Sequence, residues 1–169
     1  GMVTKQEGAT TALADVQATY QRRADLLPNL TKTVKAYAAH EKETFDAVTK
    51  ARAEATQIKL DAENMTPEKF AAFQKAQGNV ASALGRLMAI AENYPELKAN
   101  ENFRELQVQL EGTENRINEA RQKYNAAVQT YNQTVRTMPN ALVAGLFGFE
   151  KMEKFEAAAG AEKAPELDL

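Results

Sequence analysis

The sequence predicts an all-α fold, an elongated antiparallel bundle of about four long helices with a short C-terminal helical or extended tail. Two observations carry this prediction. Ala, Glu, Lys, Gln and Leu are abundant, and only 8 glycines and 5 prolines interrupt the 169 residues, which favours helix. Apolar residues recur at steps of three and four rather than in alternation, a pattern typical of amphipathic helices and not of strands.

The first predicted helix begins near Thr10 and meets a proline at position 28. Proline has no N–H, and its ring crowds the carbonyl group four residues earlier. We therefore expect the helix to kink, and to bend or restart, at Pro28. Beyond Pro28 the apolar face continues on one side through about Ala62, which predicts helix over that stretch as well.

A second helical boundary lies at Asn64-Met65-Thr66-Pro67. Thr66 suits the N-cap, and Pro67 suits the first helical position. The helix that starts here is expected to end near Tyr94. Its inward-facing residues are predicted to be Phe70, Phe73, Val80, Leu84, Leu87 and Ala91.

The longest predicted helix follows, with either Asn100 or Asn102 as its N-cap. Apolar positions then alternate steps of three and four up to Pro139, over about five heptads, which is typical of coiled-coil-like packing. The sequence thus predicts one bundle domain at 1–157 and a tail at 158–169.

Composition excludes several classes of function. The formal net charge of −2 and the absence of a basic face argue against nucleic-acid binding. The absence of cysteine removes disulfides, thiolate zinc sites and thiol catalysis. The longest apolar run, 141–149, is shorter than the roughly 20 residues that cross a bilayer as a helix. Gly1 before Met2 is typical of a residue left by tag removal, so we expect the natural protein to begin further upstream.

Residues for catalysis are sparse. The single histidine, His40, has Thr44 four positions later and Tyr37 three positions earlier, so neither a zinc motif nor a di-iron motif is complete. The single serine, Ser82, lies in a predicted helix without a nucleophile elbow. We predict no catalytic residue, no metal site and no cofactor. A metal site built from His40, Glu41 and nearby carboxylates is the alternative.

The stretch YQRRADLLPNL carries an unusual density of polar residues within an amphipathic pattern. One interpretation is a hinge at the proline, where the polar side chains satisfy freed backbone groups or each other. The other is a surface for a protein partner. The candidate residues are Arg22, Arg23, Asp25 and Asn29.

The long helix carries a second candidate surface. Asn118, Asn125 and Asn132 recur at seven-residue spacing, with Arg121 and Glu114 in a row beside them. Asparagine is a mediocre helix former, so three in register indicate hydrogen bonds to a partner or to another helix. Polar contacts within the bundle, or a solvated flank, are the favoured alternative.

The segment ALVAGLFGF carries the third candidate surface, at Leu146 and Phe147. An exposed apolar segment of this kind suits a partner or a membrane interface. The favoured alternative is that the segment folds over the end of the bundle and buries these side chains.

Long blocks of the sequence resemble the LemA family of bacterial proteins. The first block is YQRRADLLPNL, followed by TVKAYAAHEKETF and AVTKARAEA. The second is ALGRLMAIAENYPELKANENFRELQVQLEGTENRINEARQKYNAAVQTYN, followed by MPNALVAGLFGFE. The resemblance runs from about Val16 to Ala157. It implies a short N-terminal transmembrane helix and an antiparallel helical bundle outside the cytoplasm; the printed sequence departs from this pattern because it lacks that anchor.

The resemblance carries over no catalytic residue, because none is assigned to the family. Family members resemble envelope proteins, sometimes encoded beside membrane proteases or TPM-domain proteins, which suggests an adaptor role. We expect a membrane-anchored, non-enzymatic binding, adaptor or scaffold protein of the bacterial cell envelope with a protein partner. The alternatives are the metal-dependent enzyme around His40 and Glu41, and a soluble cytoplasmic coiled-coil oligomerisation module.

Overall fold

A computed structural model describes residues 2–61, 65–136 and 154–155. The described chain is helical without any strand, so the all-α prediction is confirmed. Its helices are α1 (Met2–Lys35), α2 (Lys42–Gln57), α3 (Pro67–Ala91), the single turn α4 (Pro95–Lys98) and α5 (Glu101–Arg136).

The helices pack in pairs. Helix α1 lies mainly along α5, and α2 lies mainly along α3. Two hydrogen bonds give the direction of the first pair. Arg23 of α1 bonds Glu114 of α5, and the Tyr37 hydroxyl, just after α1, bonds Asn100, just before α5. The partner on the α5 side has the lower residue number where the partner on the α1 side has the higher one, so helices α1 and α5 run in opposite directions where they touch.

Helix α1 continues through Pro28, so of the predicted bend or restart at this position the restart does not occur. The kink at Pro28 stays a prediction. An interior proline costs about 3 kcal/mol or more. Leu27, Leu30 and Val34 lie on both sides of it and are each 0% exposed. Full burial of one such side chain contributes roughly 1.5–3 kcal/mol, so together they outweigh the missing backbone bond.

The break in the helix comes later, at 36–41, so the stretch predicted to reach Ala62 without interruption contains a turn and a second helix. The Tyr37 N–H donates to the Val34 carbonyl at 3.0 Å, which tightens the end of α1. The Tyr37 hydroxyl accepts a 2.9 Å hydrogen bond from the Asn100 amide. That bond fastens the turn to the start of α5.

Two predicted helix starts can be checked at their caps. The Thr66 hydroxyl accepts the Lys69 N–H at 3.1 Å, and Pro67 opens α3, so both of these predictions are confirmed. Asn100 caps α5, because its Oδ1 accepts the Phe103 N–H at 3.0 Å. Of the two candidates for that cap, Asn100 is therefore correct.

Two apolar clusters form the core. The Leu84 cluster joins α1, α2, α3 and α5, and it includes Leu27, Leu30, Val34, Phe45, Val48, Val80, Leu84, Leu87, Phe103 and Leu110. The Tyr124 cluster lies further along α5, and it includes Leu13, Val16, Tyr20, Leu60, Phe70, Phe73, Ile117, Tyr124, Val128 and Phe155. Every residue predicted to face inward on α3 is buried in one of the two.

The described ranges contain helices α1 to α5. None of the helices there is both long and apolar enough to cross a bilayer.

Candidate functional site

Three polar side chains form a layer between the two apolar clusters. Arg23 on α1, Gln77 on α3 and Glu114 on α5 each lie at the boundary between the Leu84 cluster and the Tyr124 cluster. Arg23 is 4% exposed and Gln77 is 7% exposed, so the layer is inside the bundle and not on its surface.

Arg23 joins the three helices through hydrogen bonds. Its Nη2 donates to the backbone carbonyl of Gln77 at 2.9 Å and to the Gln77 side-chain oxygen at 3.0 Å. Its Nη1 donates to the Glu114 carboxylate at 3.1 Å. The guanidinium also lies over the Tyr20 ring, 5.1 Å from its centroid.

This layer constrains how the helices align. A buried guanidinium is strongly destabilising unless its charge and its donors are matched. A shift of α1 by one residue relative to α3 and α5 would separate Arg23 from both partners. Buried polar groups that fix the register of helices in this way are well attested in coiled coils. The layer therefore contributes more to register than to chemistry.

Tyr20 connects the polar layer to a second feature. Its phenol is 6% exposed, and burial raises its pKa above the ordinary value. The positive charges of Arg121 and Arg23 and a hydrogen bond from Arg121 act in the opposite direction, but desolvation is the larger effect. The phenol is thus neutral at physiological pH, and the Arg121 guanidinium lies near it.

That second feature is a pocket filled by the ring of Phe155, which we name the Phe155 pocket. Its walls are Phe70, Phe73 and Tyr124, with ring centroids 4.7, 6.3 and 5.3 Å from the Phe155 ring. The Arg121 guanidinium carbon lies 5.5 Å from the centroid of the same ring. Phe155 is 5% exposed as a result.

The side-chain amide of Asn125 bonds both backbone polar groups of Phe155. Its Nδ2 donates to the Phe155 carbonyl at 3.1 Å, and its Oδ1 accepts the Phe155 N–H at 2.9 Å. One side chain thereby satisfies both backbone polar groups of a residue that belongs to no helix, as a neighbouring β-strand would.

The same arrangement occurs once more in the Tyr124 cluster. The Gln17 amide donates to the Leu60 carbonyl at 2.7 Å and accepts the Leu60 N–H at 2.9 Å. Leu60 lies in the connection after α2, and its side chain is 5% exposed. In two places, therefore, a helix amide holds a non-helical residue whose side chain enters the core.

Comparison with known proteins identifies the family. The family model described as the LemA family matches residues 12–169. The chain belongs to the LemA family. Its curated relatives include the magnetosome protein MamQ of Magnetospirillum gryphiswaldense, 30% identical over 176 residues that cover 94% of this chain and 65% of the relative.

Two further relatives are the magnetosome proteins MamQ 1 and MamQ 2 of Paramagnetospirillum magneticum. Each is 29% identical to this LemA-family chain over 171 residues, which cover 91% of the chain and 63% of the relative. The chain thus spans slightly less than two thirds of the length of the curated relatives it matches.

In this LemA-family bundle the first predicted surface separates into two parts. Arg22, Asp25 and Asn29 are exposed on α1, whereas Arg23 is buried in the polar layer. Arg23 is therefore corrected from a surface residue to a core residue. The Asp25 carboxylate accepts a 2.9 Å hydrogen bond from Gln21, one helical turn away, in place of the predicted link to the arginines.

The second predicted surface lies half-buried on α5, and part of it is engaged within the chain. Arg121 and Asn125 both contact Phe155, as the alternative of polar contacts within the bundle implies. Asn118 and Asn132 are half-buried on the same helix. The third predicted surface, Leu146 and Phe147, lies outside the described residues, as do the end predicted at Pro139 and the tail at 158–169.

The alternative metal site can be examined at His40, which is exposed in the turn between α1 and α2. In the part of the chain that the structure describes, no group of three or more His, Asp or Glu side chains is placed to hold a metal ion.

Sequence reasoning missed Gln17, Gln77 and Phe155. For Gln77 a signal existed, because it lies four residues after Phe73 and three before Val80, in line with the apolar face of α3. A polar residue at such a position must find a buried partner. The Gln17 side chain bonds the backbone of a residue far along the chain, and the Phe155 backbone is bonded by a side chain that is also distant in the sequence. Local residue spacing gives no signal for such contacts.

Proposed function

We propose that this LemA-family chain is a non-enzymatic binding module, an adaptor or scaffold of the bacterial cell envelope. In its natural form it is anchored to the membrane by a segment outside the printed sequence, and the bundle lies outside the cytoplasm. Family membership and the resemblance to proteins named as magnetosome proteins support a membrane-associated bacterial protein.

The observation that carries the binding role is the way the bundle holds Phe155. Asn125 bonds both backbone groups of that residue, while three aromatic rings and Arg121 enclose its side chain. A helical surface that satisfies a non-helical backbone and buries one aromatic ring has the two elements of peptide recognition, main-chain hydrogen bonds and a side-chain pocket.

The location can be tested by single-cysteine labelling, because the chain has no cysteine of its own. Ser82 is exposed on α3, so Ser82→Cys offers one accessible thiol in the full-length protein once any cysteine outside the printed sequence is replaced by serine. We expect a membrane-impermeant maleimide to label it in intact spheroplasts. The adjacent Ala83 is 4% exposed, so Ala83→Cys is a matched control that should react only after unfolding. Labelling of Ser82→Cys only after lysis would refute the location and favour a cytoplasmic module.

The exposed part of the first predicted surface can be tested for partner contact in the same cells. A photo-crosslinking amino acid at Asn29 should give discrete adducts, and charge reversal by Arg22→Glu should change them, since Arg22 is exposed on the same helix. Lys50→Glu, an exposed change on α2, is the control. Identical adduct patterns in all three proteins would remove this surface from the proposal.

A further inference from the structure

We infer that the Phe155 pocket is a receptor for a phenylalanine in a non-helical segment of a partner polypeptide, and that Phe155 is its intramolecular occupant. The inference rests on the proposed binding function and names the chemistry of the partner. It follows from the selectivity of the pocket for an aromatic ring, from its recognition of backbone groups, and from its construction independent of Phe155.

The side-chain part of the pocket selects an aromatic ring. Tyr124 meets the Phe155 ring at an interplanar angle of 72°, with centroids 5.3 Å apart, an edge-to-face geometry. Arg121 lies over that ring with its guanidinium carbon 5.5 Å from the centroid. Both interactions depend on the quadrupole of the ring, so an aliphatic side chain of similar volume would lose them.

The backbone part of the pocket recognises both polar groups of one non-helical residue. Asn125 takes up the N–H and the carbonyl of Phe155, and a proline or an N-methylated residue could not donate that N–H. The neighbouring Lys154 is exposed, so the described contacts do not select the side chain of the residue before the phenylalanine. The pocket therefore accepts many residues at the position before the phenylalanine.

The receptor is built from groups that do not need Phe155. Arg121 lies close enough to the Tyr20 phenol for its charge to act on the Tyr20 pKa, and the Tyr20 ring is covered by Arg23. Arg23 is fixed in turn by Gln77 and Glu114 in the polar layer. A pocket whose key side chain is positioned in this way keeps its geometry when the occupant leaves, which lowers the cost of binding a new one.

Comparison with Leu60 shows why the inference concerns only one of the two amide-bound residues. Gln17 satisfies the Leu60 backbone in the same manner. Leu60 is aliphatic, so the edge-to-face and cation–π contacts that select a phenylalanine have no counterpart there.

An intramolecular occupant reduces the apparent affinity for a partner. The measured dissociation constant is the intrinsic one divided by the fraction of molecules whose pocket is free. Removal of the Phe155 ring should raise that fraction to near one. We therefore expect Phe155→Ala to bind a phenylalanine peptide at least about tenfold more tightly than the wild-type chain does.

The test uses fluorescence anisotropy with a labelled synthetic peptide of the chain's own sequence at 151–159, KMEKFEAAA. We expect saturable binding to the full chain carrying Phe155→Ala, and at least about tenfold weaker binding to wild type. Two altered peptides, one with alanine and one with N-methylphenylalanine in place of the phenylalanine, should bind at least tenfold more weakly. The first lacks the ring, and the second lacks the N–H.

A matched pair of protein variants tests the role of Asn125. In the Phe155→Ala background, Asn125→Leu should weaken binding of the phenylalanine peptide at least about tenfold, because it removes both backbone bonds. Asn115→Leu changes the same residue type at an exposed position ten residues earlier on α5 and should leave affinity unchanged. Absence of saturable binding, or equal affinity for all peptides or for both asparagine variants, would overturn the inference.

A second measurement does not depend on the folding of Phe155→Ala. In wild-type protein labelled with ¹⁵N-phenylalanine, an excess of the unlabelled phenylalanine peptide should shift the amide resonance of Phe155, and the N-methylated peptide should not. An unchanged Phe155 resonance at saturating peptide would overturn the inference. Concentration-dependent dimerisation of the wild-type chain that Phe155→Ala abolishes would also overturn it, because the occupant would then be a second copy.

Failure of this inference is separable from failure of the proposed function. If the peptide does not bind, but adducts at Asn29 respond to Arg22→Glu in cells, the Phe155 pocket is structural and the binding module uses another surface. If Ser82→Cys is labelled only after lysis, the proposed location is wrong whatever the pocket binds.

Discussion

Substitution of Arg23 by methionine tests the polar layer most severely. Methionine keeps an unbranched apolar chain of similar length but removes the guanidinium. Three hydrogen bonds disappear, two to Gln77 and one to Glu114, together with the contact over the Tyr20 ring. We expect α1 to lose its main polar attachment to α3 and α5.

The size of the stability loss depends on the Glu114 carboxylate, which is left without its partner. Removal of one partner from a buried ion pair costs about 3–5 kcal/mol. Glu114 keeps 18% of its side-chain surface exposed, so water offsets part of that cost, and we expect a loss of about 3 kcal/mol. For a protein of this size that corresponds to a fall in Tm of roughly 6–12 °C.

Urea denaturation followed by circular dichroism measures this loss. Arg22→Met is the matched control, because Arg22 is the adjacent arginine and is exposed; its effect should stay within about 0.5 kcal/mol. Adding Glu114→Leu to Arg23→Met should recover part of the loss, since no carboxylate is then left unpaired. Equal stability of the two arginine variants would refute the buried layer and restore a surface role for Arg23.

Three further predictions follow from single contacts. Because burial raises the Tyr20 pKa, the protonated phenol contributes stability that is present below the unfolded-state pKa of about 10 and is lost as pH rises toward the folded-state pKa. Urea unfolding between pH 9 and 11.5 should show a shallower decline for Tyr20→Phe than for wild type, by up to about 1.4 kcal/mol per pH unit; equal slopes would contradict this. Thr66→Ala should lose about 1 kcal/mol with the cap of α3, whereas Thr66→Ser should lose little. Gln17→Leu should speed hydrogen exchange at the Leu60 amide, and an unaltered rate would mean that the amide clamp does not protect it.

The sequence was sufficient where apolar spacing alone decides the structure. On α3 the predicted inward residues are all buried, because side chains at steps of three and four lie on one face of a helix whatever packs against them. The cap at Thr66 also follows from local chemistry, since its hydroxyl bonds an N–H three residues later.

The sequence misled where two local effects competed. Pro28 is a strong helix breaker in isolation, yet fully buried leucines on both sides hold α1 together through it. The real break at 36–41 has no proline. A step of eight residues from Tyr37 to Phe45 between the large apolar side chains was the local sign of it.

The candidate site could be predicted only in part. The neighbouring rows that contain Asn125 and Arg121 follow from helical spacing. Their contact Phe155 lies 30 residues beyond Asn125, and no periodicity links Phe155 to Asn125. The burial of Arg23 and the exposure of Arg22 could have been predicted. Arg23 lies three residues after Tyr20, on the apolar face of α1, whereas Arg22 is rotated about 100° away from it.

One measurement in cells tests the central claim, that the bundle binds a partner polypeptide through the Phe155 pocket. A photo-crosslinking amino acid at Gln129, exposed one turn beyond Asn125, samples the neighbourhood of the pocket in the full-length protein. We predict a partner adduct whose yield rises in Phe155→Ala relative to wild type and falls when Asn125→Leu is added. The same yield in all three proteins would contradict the claim.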